Sequence, residues 1–306
     1  MENTAKRAES IYALLSEKKE QEIMLSGYLK TMDDQITKNG KPYISGEFVK
    51  GEEHISYKMW DYTRASFYEK YGLGDASARV VDTVCELQFY EGSASLIIKK
   101  VKPLPDTELP KFSFHTPYNI DEMLAKVDEE IKKIGDEQVK NACAGAIGAV
   151  RDKLRFYPLS VDGPHPEIGG FLTHIYRVLV MVEHWVGLSP ESYYDNGGVV
   201  RASVVLHHLF ALQSMRCTPN GEVIDDGEKG SRMFGSFEQG SLLLAWNAFT
   251  RGGAKVNSYA MRVIHSLATL CGAEPETLDA FLFHNLCILE AKEDVKKRES
   301  KANPLF

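Results

Sequence analysis

The 306-residue sequence lacks the signals of a membrane, secreted or zinc-ribbon protein. No run approaches 18 apolar residues, so no transmembrane helix is predicted, and charges throughout the first residues argue against a signal peptide. None of the five cysteines forms a C-x-x-C pair, which argues against a zinc ribbon and favours reduced thiols. We therefore expect a soluble, cytoplasmic protein that does not contact a membrane.

The sequence also lacks the common catalytic fingerprints and an excess of basic charge. It contains no G-x-S-x-G elbow, no P-loop and no dinucleotide-binding glycine motif. The formal net charge of -7 excludes a globally basic nucleic-acid binder. It does not exclude a single-strand binder, because such proteins need only a local basic groove with stacking aromatic side chains. The apolar fraction of 43% is ample for a buried core, and the length allows two domains.

Hydrophobic periodicity divides the sequence into a strand-rich part and a helical part. Residues 1–20 predict an amphipathic N-terminal helix, and residues 21–102 predict five strands with a short helix between the third and fourth, which is the order of an OB-fold barrel. Four prolines mark a linker at 103–118. Residues 119–294 predict a helical domain with an exposed hairpin or loop at 216–230, and 295–306 predict a charged C-terminal tail. The predicted fold class is α+β multidomain, a five-stranded OB-fold β-barrel followed by an all-α domain.

Alternation along the second and third predicted strands indicates which side chains point away from the barrel core. In an OB-fold this outward face binds oligonucleotides, with bases on aromatic rings and phosphates on lysines. An alternative is that the two large aromatic residues cover the barrel against another domain. The predicted nucleic-acid-binding residues are Lys38, Lys41, Tyr43, His54, Lys58 and Trp60.

A pair of adjacent histidines, His207 and His208, lies in the apolar stretch 199–212 (VVRASVVLHHLFAL), which predicts one buried helix. Buried imidazoles require hydrogen-bond partners or a metal ion. The pair is therefore compatible with a metal-dependent enzyme and with an inert core.

The order of these features resembles the YhaM family of exoribonucleases, which join an OB-fold to an HD metal-dependent hydrolase domain. The resemblance rests on the barrel segments NGKPYISGEF and YKMWD, the proline-rich linker, an H-x-x-x-G-G-x-x-x-H motif at 165–174, the histidine pair and the segment TLDAFLFHNLCILEAK. It covers about residues 22–290. It implies an HD-like helical domain, in which imidazoles and carboxylates hold divalent metals that activate water for phosphodiester attack.

Carried over residue by residue, the family's metal site is mostly absent. His174 and His207 match family histidines, but His208 stands where the aspartate of the His-Asp pair is expected. The closing aspartate falls at Cys287, and Leu270 replaces a further histidine. Neutral imidazole cannot neutralise two cations as a bridging carboxylate does. We therefore predict no catalytic residue and no cofactor. A remnant divalent-metal site on His174, His207, His208 and Cys287 is the alternative.

These observations predict a non-catalytic protein that binds single-stranded nucleic acid, preferably DNA, in replication, repair or transcription. The helical domain would be a degenerate HD pseudoenzyme domain that forms a homo-oligomer and contacts a replication or transcription protein. The distance from the enzyme family suggests a viral origin. Two alternatives remain open: a metal-dependent exonuclease acting on single-stranded RNA or DNA through a remodelled HD site, and a protein-binding adaptor.

Overall fold

A computed structural model describes residues 6–17, 19–72, 79–90, 92–160, 163–193, 195–217, 223–225 and 235–302. The chain divides into two units, Met1–His115 and Thr116–Phe306. The first unit is built on a β-sheet and the second on α-helices, so the fold class is α+β. Among the described residues, no helix combines the length and apolarity that crossing a membrane requires.

The described residues of the first unit form a mixed sheet of seven strands with two short α-helices. Both helices lie in connections between strands, one before the second strand and one before the sixth. The strands are β1 (Lys6–Arg7), β2 (Gln21–Leu29), β3 (Asp33–Ile36), β4 (Pro42–Lys50), β5 (Glu53–Trp60), β6 (Val80–Tyr90) and β7 (Ser93–Pro103), and the helices are α1 (Ile11–Glu17) and α2 (Arg64–Tyr71).

The strand order is β1-β2-β6-β7-β5-β4-β3, and β2 also pairs with β4. The β1–β2 and β5–β7 pairs are parallel, and the other pairs are antiparallel. Where β2 meets β4, a Cβ on Gly27 would lie 2.5 Å from the carbonyl oxygen of Val49. Only glycine therefore permits this approach without a shift of the backbone.

The sheet has two strands more than the five that the sequence predicts, and both lie outside the predicted strands. β1 lies within the predicted helix of residues 1–20, of which only α1 is helical among the described residues. β3 lies in a stretch that we expected to be a polar loop. All four of its residues are exposed, so no alternation of burial marks it as a strand.

The core of the first unit lies on the inward face of the hairpin formed by β4 and β5. Ile44 and Phe48 of β4 are fully buried, and Ile55, Tyr57 and Met59 of β5 are buried with them. This burial confirms the predicted alternation. The hydrophobic residues of α1 and α2 belong to the same buried cluster, and they include Ile11, Leu14 and Phe67.

Where the structure describes the second unit, its regular elements are helices and one short hairpin, and several of the helices begin at polar capping residues. Asn119 caps the first helix, as the sequence predicts, and its side chain accepts hydrogen bonds from two backbone N–H groups. The helices are α3 (Ile120–Lys132), α4 (Glu137–Leu154), α5 (Gly170–Leu188), α6 (Gly198–Leu206), α7 (Leu209–Ser214), α8 (Phe237–Phe249), α9 (Ser258–Thr269) and α10 (Leu278–Ala302), and the hairpin strands are β8 (Arg216–Cys217) and β9 (Val223–Asp225).

One prediction for the second unit is wrong, and its last helix continues into the predicted tail. The stretch 199–212 is not one helix, because the helix is interrupted at the histidine pair, between α6 and α7. The predicted tail 295–306 is helical as far as Ala302, and its last residues lie outside the described part of the chain. Ion pairs at i,i+4, such as Lys297 with Glu293 and Arg298 with Asp294, support these last turns of α10.

The helices α5 and α6 lie at the centre of the second unit. Every residue of α6 is buried, including Arg201, whose guanidinium group is held by the buried carboxylate of Glu130 at 2.5 Å. Ten residues of α5 are buried as well. Side chains near the first turns of α5 and the end of α6 are therefore placed in the interior, and His174 and His207 are both 1% exposed.

Candidate metal centre

Three histidines converge in the helical unit. His174 projects from α5, and His207 and His208 lie at the break between α6 and α7. Their ligand nitrogens lie within 4.8 Å of one another. The ring centroid of His207 lies 4.1 Å from that of His208 and 5.1 Å from that of His174. The three side chains thus form one cluster of potential metal donors.

The helix break explains how two adjacent residues can face the same cluster. In a continuous α-helix, consecutive side chains point about 100° apart. Here His207 still has helical dihedral angles, whereas His208 has φ -117° and ψ 9°. The hydroxyl of Ser241 accepts a hydrogen bond from the backbone N–H of Phe210, in the first turn after the break. A change of backbone direction therefore brings the two imidazoles together.

The Nδ1 side of His174 faces a buried carboxylate. Glu290 of α10 is 0% exposed and lies within hydrogen-bond distance of His174 Nδ1 and of His165 Nε2, at 2.5 and 2.9 Å. It also pairs with Arg177 at 3.2 Å. Burial by itself would raise the pKa of Glu290, but hydrogen bonds to the two histidines outweigh it and lower the pKa to about 2. Glu290 is therefore ionised and accepts the Nδ1 proton of His174.

His165 completes the charged side of the cluster. Its Nδ1 lies 3.0 Å from the carboxylate of Glu167, and its backbone N–H donates to Asp294 at 2.9 Å. Burial alone would lower the pKa of His165, but hydrogen bonds to Glu167 and Glu290 outweigh it and raise the pKa to about 9. His165 is thus an imidazolium at neutral pH, and it balances the charge of Glu290.

The two glycines of the H-x-x-x-G-G-x-x-x-H motif are required by the backbone. Gly169 has φ +77°, in the left-handed region that favours glycine. A Cβ on Gly170 would lie 2.2 Å from the carbonyl oxygen of His165. His165 itself has φ +50°. The motif therefore folds the His165 loop tightly against the start of α5, which brings His165 near His174.

The Nε2 side of His174 is different, because it faces neutral imidazoles. His207 Nδ1 lies 2.6 Å from the carbonyl oxygen of Val204, which can only accept, so Nδ1 carries the proton. Burial, with smaller contributions from His208 and His174, holds the pKa of His207 well below its usual value. His207 is therefore neutral, and its Nε2 carries a lone pair.

This lone pair points at His174, since the Nε2 atoms of His174 and His207 are 3.0 Å apart. A neutral His174 that donates its Nδ1 proton to Glu290 also has a lone pair on Nε2. Two facing lone pairs repel each other, and a cation between them, either a proton or a metal ion, removes the repulsion. Two nitrogens bound to one tetrahedral zinc ion lie about 3.3 Å apart. The donor set therefore fits a divalent metal with little movement.

A cavity of about 280 Å³ reaches this cluster, and both His174 and His208 line it. The side chain of His208 is 20% exposed, and its Nδ1 lies 4.0 Å from the carboxylate of Glu238. Burial first, and then His174, lower the pKa of His208 to about 3. His208 is thus a neutral imidazole in the wall of a cavity large enough for a small group.

Cys287, the fourth predicted remnant ligand, does not join the three histidines. It lines the same cavity, but within the described ranges no group of donor atoms within 4.8 Å of one another includes its sulfur. Burial raises the pKa of the Cys287 thiol well above its usual value, and a protonated thiol is a poor ligand. His165 and Glu290 lie in the quoted motifs, but no role was predicted for either. The two residues meet across 125 positions of the chain, so no local pattern reveals their contact.

A second acidic cluster in the helical unit is neutralised by basic side chains. Glu129, Glu130 and Glu183 could hold a cation by their spacing. Lys133 contacts all three carboxylates, at 2.7, 2.6 and 2.8 Å. The pKa of Glu183 is lowered to about 2, first by its hydrogen bond to Lys133. This cluster already has its cations, and we assign it no metal.

Three of the six residues predicted to bind nucleic acid lie together on the outward face of the sheet. Tyr43 and Trp60 are register partners in the β4–β5 pair, and their ring centroids are 4.9 Å apart. The ammonium group of Lys58 lies 6.0 Å from the ring centroid of Trp60. Trp60 is 42% exposed. This group, Tyr43, Lys58 and Trp60, is called the aromatic face below.

The other three predicted residues lie apart from the aromatic face. Lys38 and Lys41 are exposed in the turn between β3 and β4. His54 is at the opposite end of β5, and its Nδ1 is 2.8 Å from the carboxylate of Glu47. The hydrogen bond to Glu47 raises the pKa of His54, and the same bond lowers the pKa of Glu47 to about 2. His54 is therefore engaged in an ion pair.

No family model matches the chain. A curated protein of Oceanobacillus iheyensis, the 3'-5' exoribonuclease YhaM, is 20% identical to it over 182 residues. The match covers 58% of this chain and 55% of that protein, so it extends over about half of the relative's length. The similarity is therefore partial and distant, and it links the chain to an enzyme of nucleic-acid metabolism.

This comparison corrects three predictions. The predictions of a non-catalytic single-strand binder and of a protein that is not an enzyme are wrong, because the similar protein is an exoribonuclease. The similarity favours the exonuclease alternative instead. The prediction of no cofactor is not supported either, because the histidine and glutamate clusters could bind a metal ion.

Proposed function

We propose that the chain is a metal-dependent exonuclease that degrades single-stranded RNA or DNA through a remodelled HD-type site at His174, His207 and His208. The observation that carries this proposal is the pair of Nε2 atoms of His174 and His207, which lie 3.0 Å apart in one buried cluster with His208. The distant relative, a 3'-5' exoribonuclease, supports the reaction class and the direction of degradation. Both observations favour chemistry over passive binding.

The donor set determines which metal ions suit the site. Three imidazoles favour zinc, iron or nickel, whereas magnesium and manganese prefer carboxylate oxygens. A bound divalent cation there would supply an activated water for attack on the phosphodiester. Because His208 stands where the family has an aspartate, we expect a preference shifted from hard to borderline metal ions.

The protein's own groups orient these donors. Glu290 accepts the Nδ1 proton of His174, which keeps the Nε2 lone pair of His174 directed at the cluster. The carbonyl of Val204 does the same for His207. Partners of this kind fix the tautomer and raise the basicity of a ligating imidazole. The imidazolium of His165 keeps Glu290 ionised for this task.

We further propose that residues 21–102 form an OB-type barrel that binds the single strand. The successive pairs β2–β6, β6–β7, β7–β5, β5–β4 and β4–β2 return to the starting strand, as closure of a five-stranded barrel requires. The aromatic face would stack bases, and Lys38 and Lys41 would meet phosphates. His54 would contribute less, because Glu47 engages it. In this proposal, 103–118 is the linker and 119–294 an HD-like domain.

Degradation of labelled oligonucleotides tests the catalytic proposal. The protein is stripped with a chelator, reloaded with zinc, iron, nickel, manganese or magnesium, and incubated with 3'- or 5'-labelled single-stranded RNA and DNA. We expect degradation from the 3' end with at least one metal. His207→Ala should lower the rate by about 100-fold or more, since it removes a ligand.

His265→Ala is the matched control for His207→Ala. His265 lies in the same unit and accepts a hydrogen bond from the backbone N–H of Glu276 at 3.2 Å, outside the cluster. It should retain the wild-type rate. Absence of turnover by the wild-type protein with every metal would overturn the proposal.

Anisotropy with a labelled oligonucleotide at two salt concentrations tests the aromatic face. Trp60→Ala should weaken binding by about 5- to 100-fold, because stacking on one aromatic ring contributes about 1–3 kcal/mol per base. Lys58→Ala should reduce the salt dependence by about one counterion. Trp185→Ala, which changes a tryptophan 49% exposed on α5, is the control. Equal binding by Trp60→Ala and Trp185→Ala would contradict the assignment.

A further inference from the structure

His284 of α10 lines the cavity that reaches the metal cluster, and its Nδ1 finds no partner in the part of the chain that the structure describes. This Nδ1 atom is buried. The described contacts include no hydrogen bond to its Nε2 either. Buried polar atoms of proteins are nearly always paired. An unpaired imidazole beside a cavity is therefore available to a partner that the described residues do not supply.

The position of His284 on α10 is fixed by helical spacing. His284, Cys287, Ile288 and Ala291 all line the cavity, as residues separated by three, four and seven positions on one helix face do. The adjacent face of α10 carries Glu290, which holds His174. One helix thus positions both a group that orients a proposed metal ligand and a group directed at the space in front of it.

The cavity is the described space that gives a ligand access to the cluster. His174 and His208 line it, whereas His207 is 1% exposed and does not. Its volume of about 280 Å³ is slightly below the range of about 300–1,000 Å³ that is typical of small-molecule sites. A space of this size suits the end of a strand and excludes a folded nucleic acid.

The polar side chains of the cavity wall differ in what they can offer to such an end group. Glu238 is a carboxylate that lies beside His208 and would repel a phosphate. His174 and His208 are assigned to the metal. An imidazole N–H donates to phosphate oxygens, and His284 is the remaining lining residue among those described with such a donor.

We propose that His284 binds the terminal phosphodiester of the strand and holds it against the metal cluster. This rests on the proposed function, since it names the residue through which the same site recognises its substrate. His284 acts as a substrate-binding residue, and the bond it forms is a hydrogen bond from its imidazole N–H to a phosphate oxygen. No covalent bond is made or broken at His284.

Variants at position 284 test the proposal with the full-length, metal-loaded protein. His284→Leu keeps the side chain apolar and removes both nitrogens, whereas His284→Gln places an amide near the position of Nε2. We expect His284→Leu to raise KM for a single-stranded oligonucleotide at least tenfold with a smaller change in kcat, because the lost bond involves a charged partner. His284→Gln should remain within about threefold of the wild type.

A second measurement separates substrate binding from metal binding and from folding. Bound metal, determined by elemental analysis after gel filtration, should be the same in wild type, His284→Leu and the control Asn285→Leu. Asn285 is the exposed neighbour, and its amide donates to the carbonyl of Phe281 on α10 itself. Loss of metal from His284→Leu alone would make His284 a ligand and overturn the proposal.

Calorimetric titration with adenosine 5'-monophosphate distinguishes failure of this inference from failure of the proposed function. If the wild type degrades nucleic acid and His284→Leu does so with an unchanged KM, the inference is wrong and the proposed function stands. If the wild type shows no turnover but binds the mononucleotide at least tenfold more tightly than His284→Leu does, the proposed function is wrong, and the proposal that His284 binds phosphate stands without it. Equal affinities of the two proteins for the mononucleotide overturn it.

Discussion

The two sides of His174 differ in how their charges are balanced. At Nδ1, the carboxylate of Glu290 is matched by the imidazolium of His165 and by Arg177, so this side is satisfied by the protein alone. At Nε2, the neutral imidazoles of His207 and His208 form one cluster of potential metal donors with His174, so this side can accept a cation. His174 thus joins two parts of one buried network. The charged groups at its Nδ1, Glu290, His165 and Arg177, are called the scaffold side below, and the imidazoles at its Nε2, His207 and His208, are called the reactive side.

The largest expected effect comes from breaking the scaffold side. Glu290→Gln removes one of the two carboxylates that lie within hydrogen-bond distance of the buried imidazolium of His165, and breaking a buried ion pair in this way costs about 3–5 kcal/mol. We expect the free energy of unfolding, measured by urea denaturation of the metal-free protein, to fall by about that amount. Metal affinity should fall about 10- to 100-fold in parallel, because the orienting partner of His174 is lost.

Glu293→Gln provides the matched comparison on the same helix. Glu293 pairs with Arg177 and Lys297, and its side chain is 43% exposed. Exposed pairs of this kind contribute about 0–1 kcal/mol. If Glu290→Gln destabilised the protein no more than Glu293→Gln does, Glu290 would not be the centre of a charged scaffold.

The pH dependence of stability should distinguish the two sides next. The folded-state pKa of His165 is raised from 6.5 to about 9, so its contribution is fully present below pH 6.5 and is lost as the pH rises through about 9. The full loss is on the order of 3 kcal/mol. Urea unfolding of metal-free protein between pH 6 and 10 should show this decrease, and His165→Gln should show much less of it. A stability that stays constant over this range would contradict a charged His165.

The smallest of the three effects concerns the reactive side. His208→Asp places a carboxylate beside the two remaining imidazoles, and direct attraction to a cation should raise the affinity for manganese by about tenfold. His208→Asn, whose side chain has the size of aspartate without its charge, should lower the affinity for manganese. Competition with a fluorescent chelator measures both variants. Equal affinities of the Asp and Asn variants would show that the cation does not bind at this position.

Local patterns predicted much of the fold because local forces determine it. The alternation of Ile44, Phe48, Ile55, Tyr57 and Met59 predicted the inward face of the β4–β5 hairpin, since each strand buries one side. The cap at Asn119 was equally visible, because a side chain that accepts from N–H groups two or three residues later leaves a sequence signal. The histidines of the cluster were also named from the sequence.

The features that the sequence did not predict depend on contacts between distant residues. No glycine or proline lies at the helix break at His207 and His208, so the sequence gives no signal of it. Glu290 meets His174 across 116 positions, and in the sequence it is one acidic residue in a charged segment. Position-by-position matching therefore gave weight to the missing aspartates and led to the prediction of a non-catalytic protein, which the similarity to an exoribonuclease contradicts.

The last turns of α10 give the site an anchor at the far end of the chain. Asp294 accepts from the backbone N–H of His165, and Arg298 contacts both Asp294 and the carbonyl oxygen of Gly163. The loop that carries His165 is thus tied to residues more than 100 positions later. A truncation or a protease cut that removes residues 294–298 would release the His165 loop from α10. The geometry of the metal cluster therefore depends on the last turns of α10 as well as on the residues of the cluster itself.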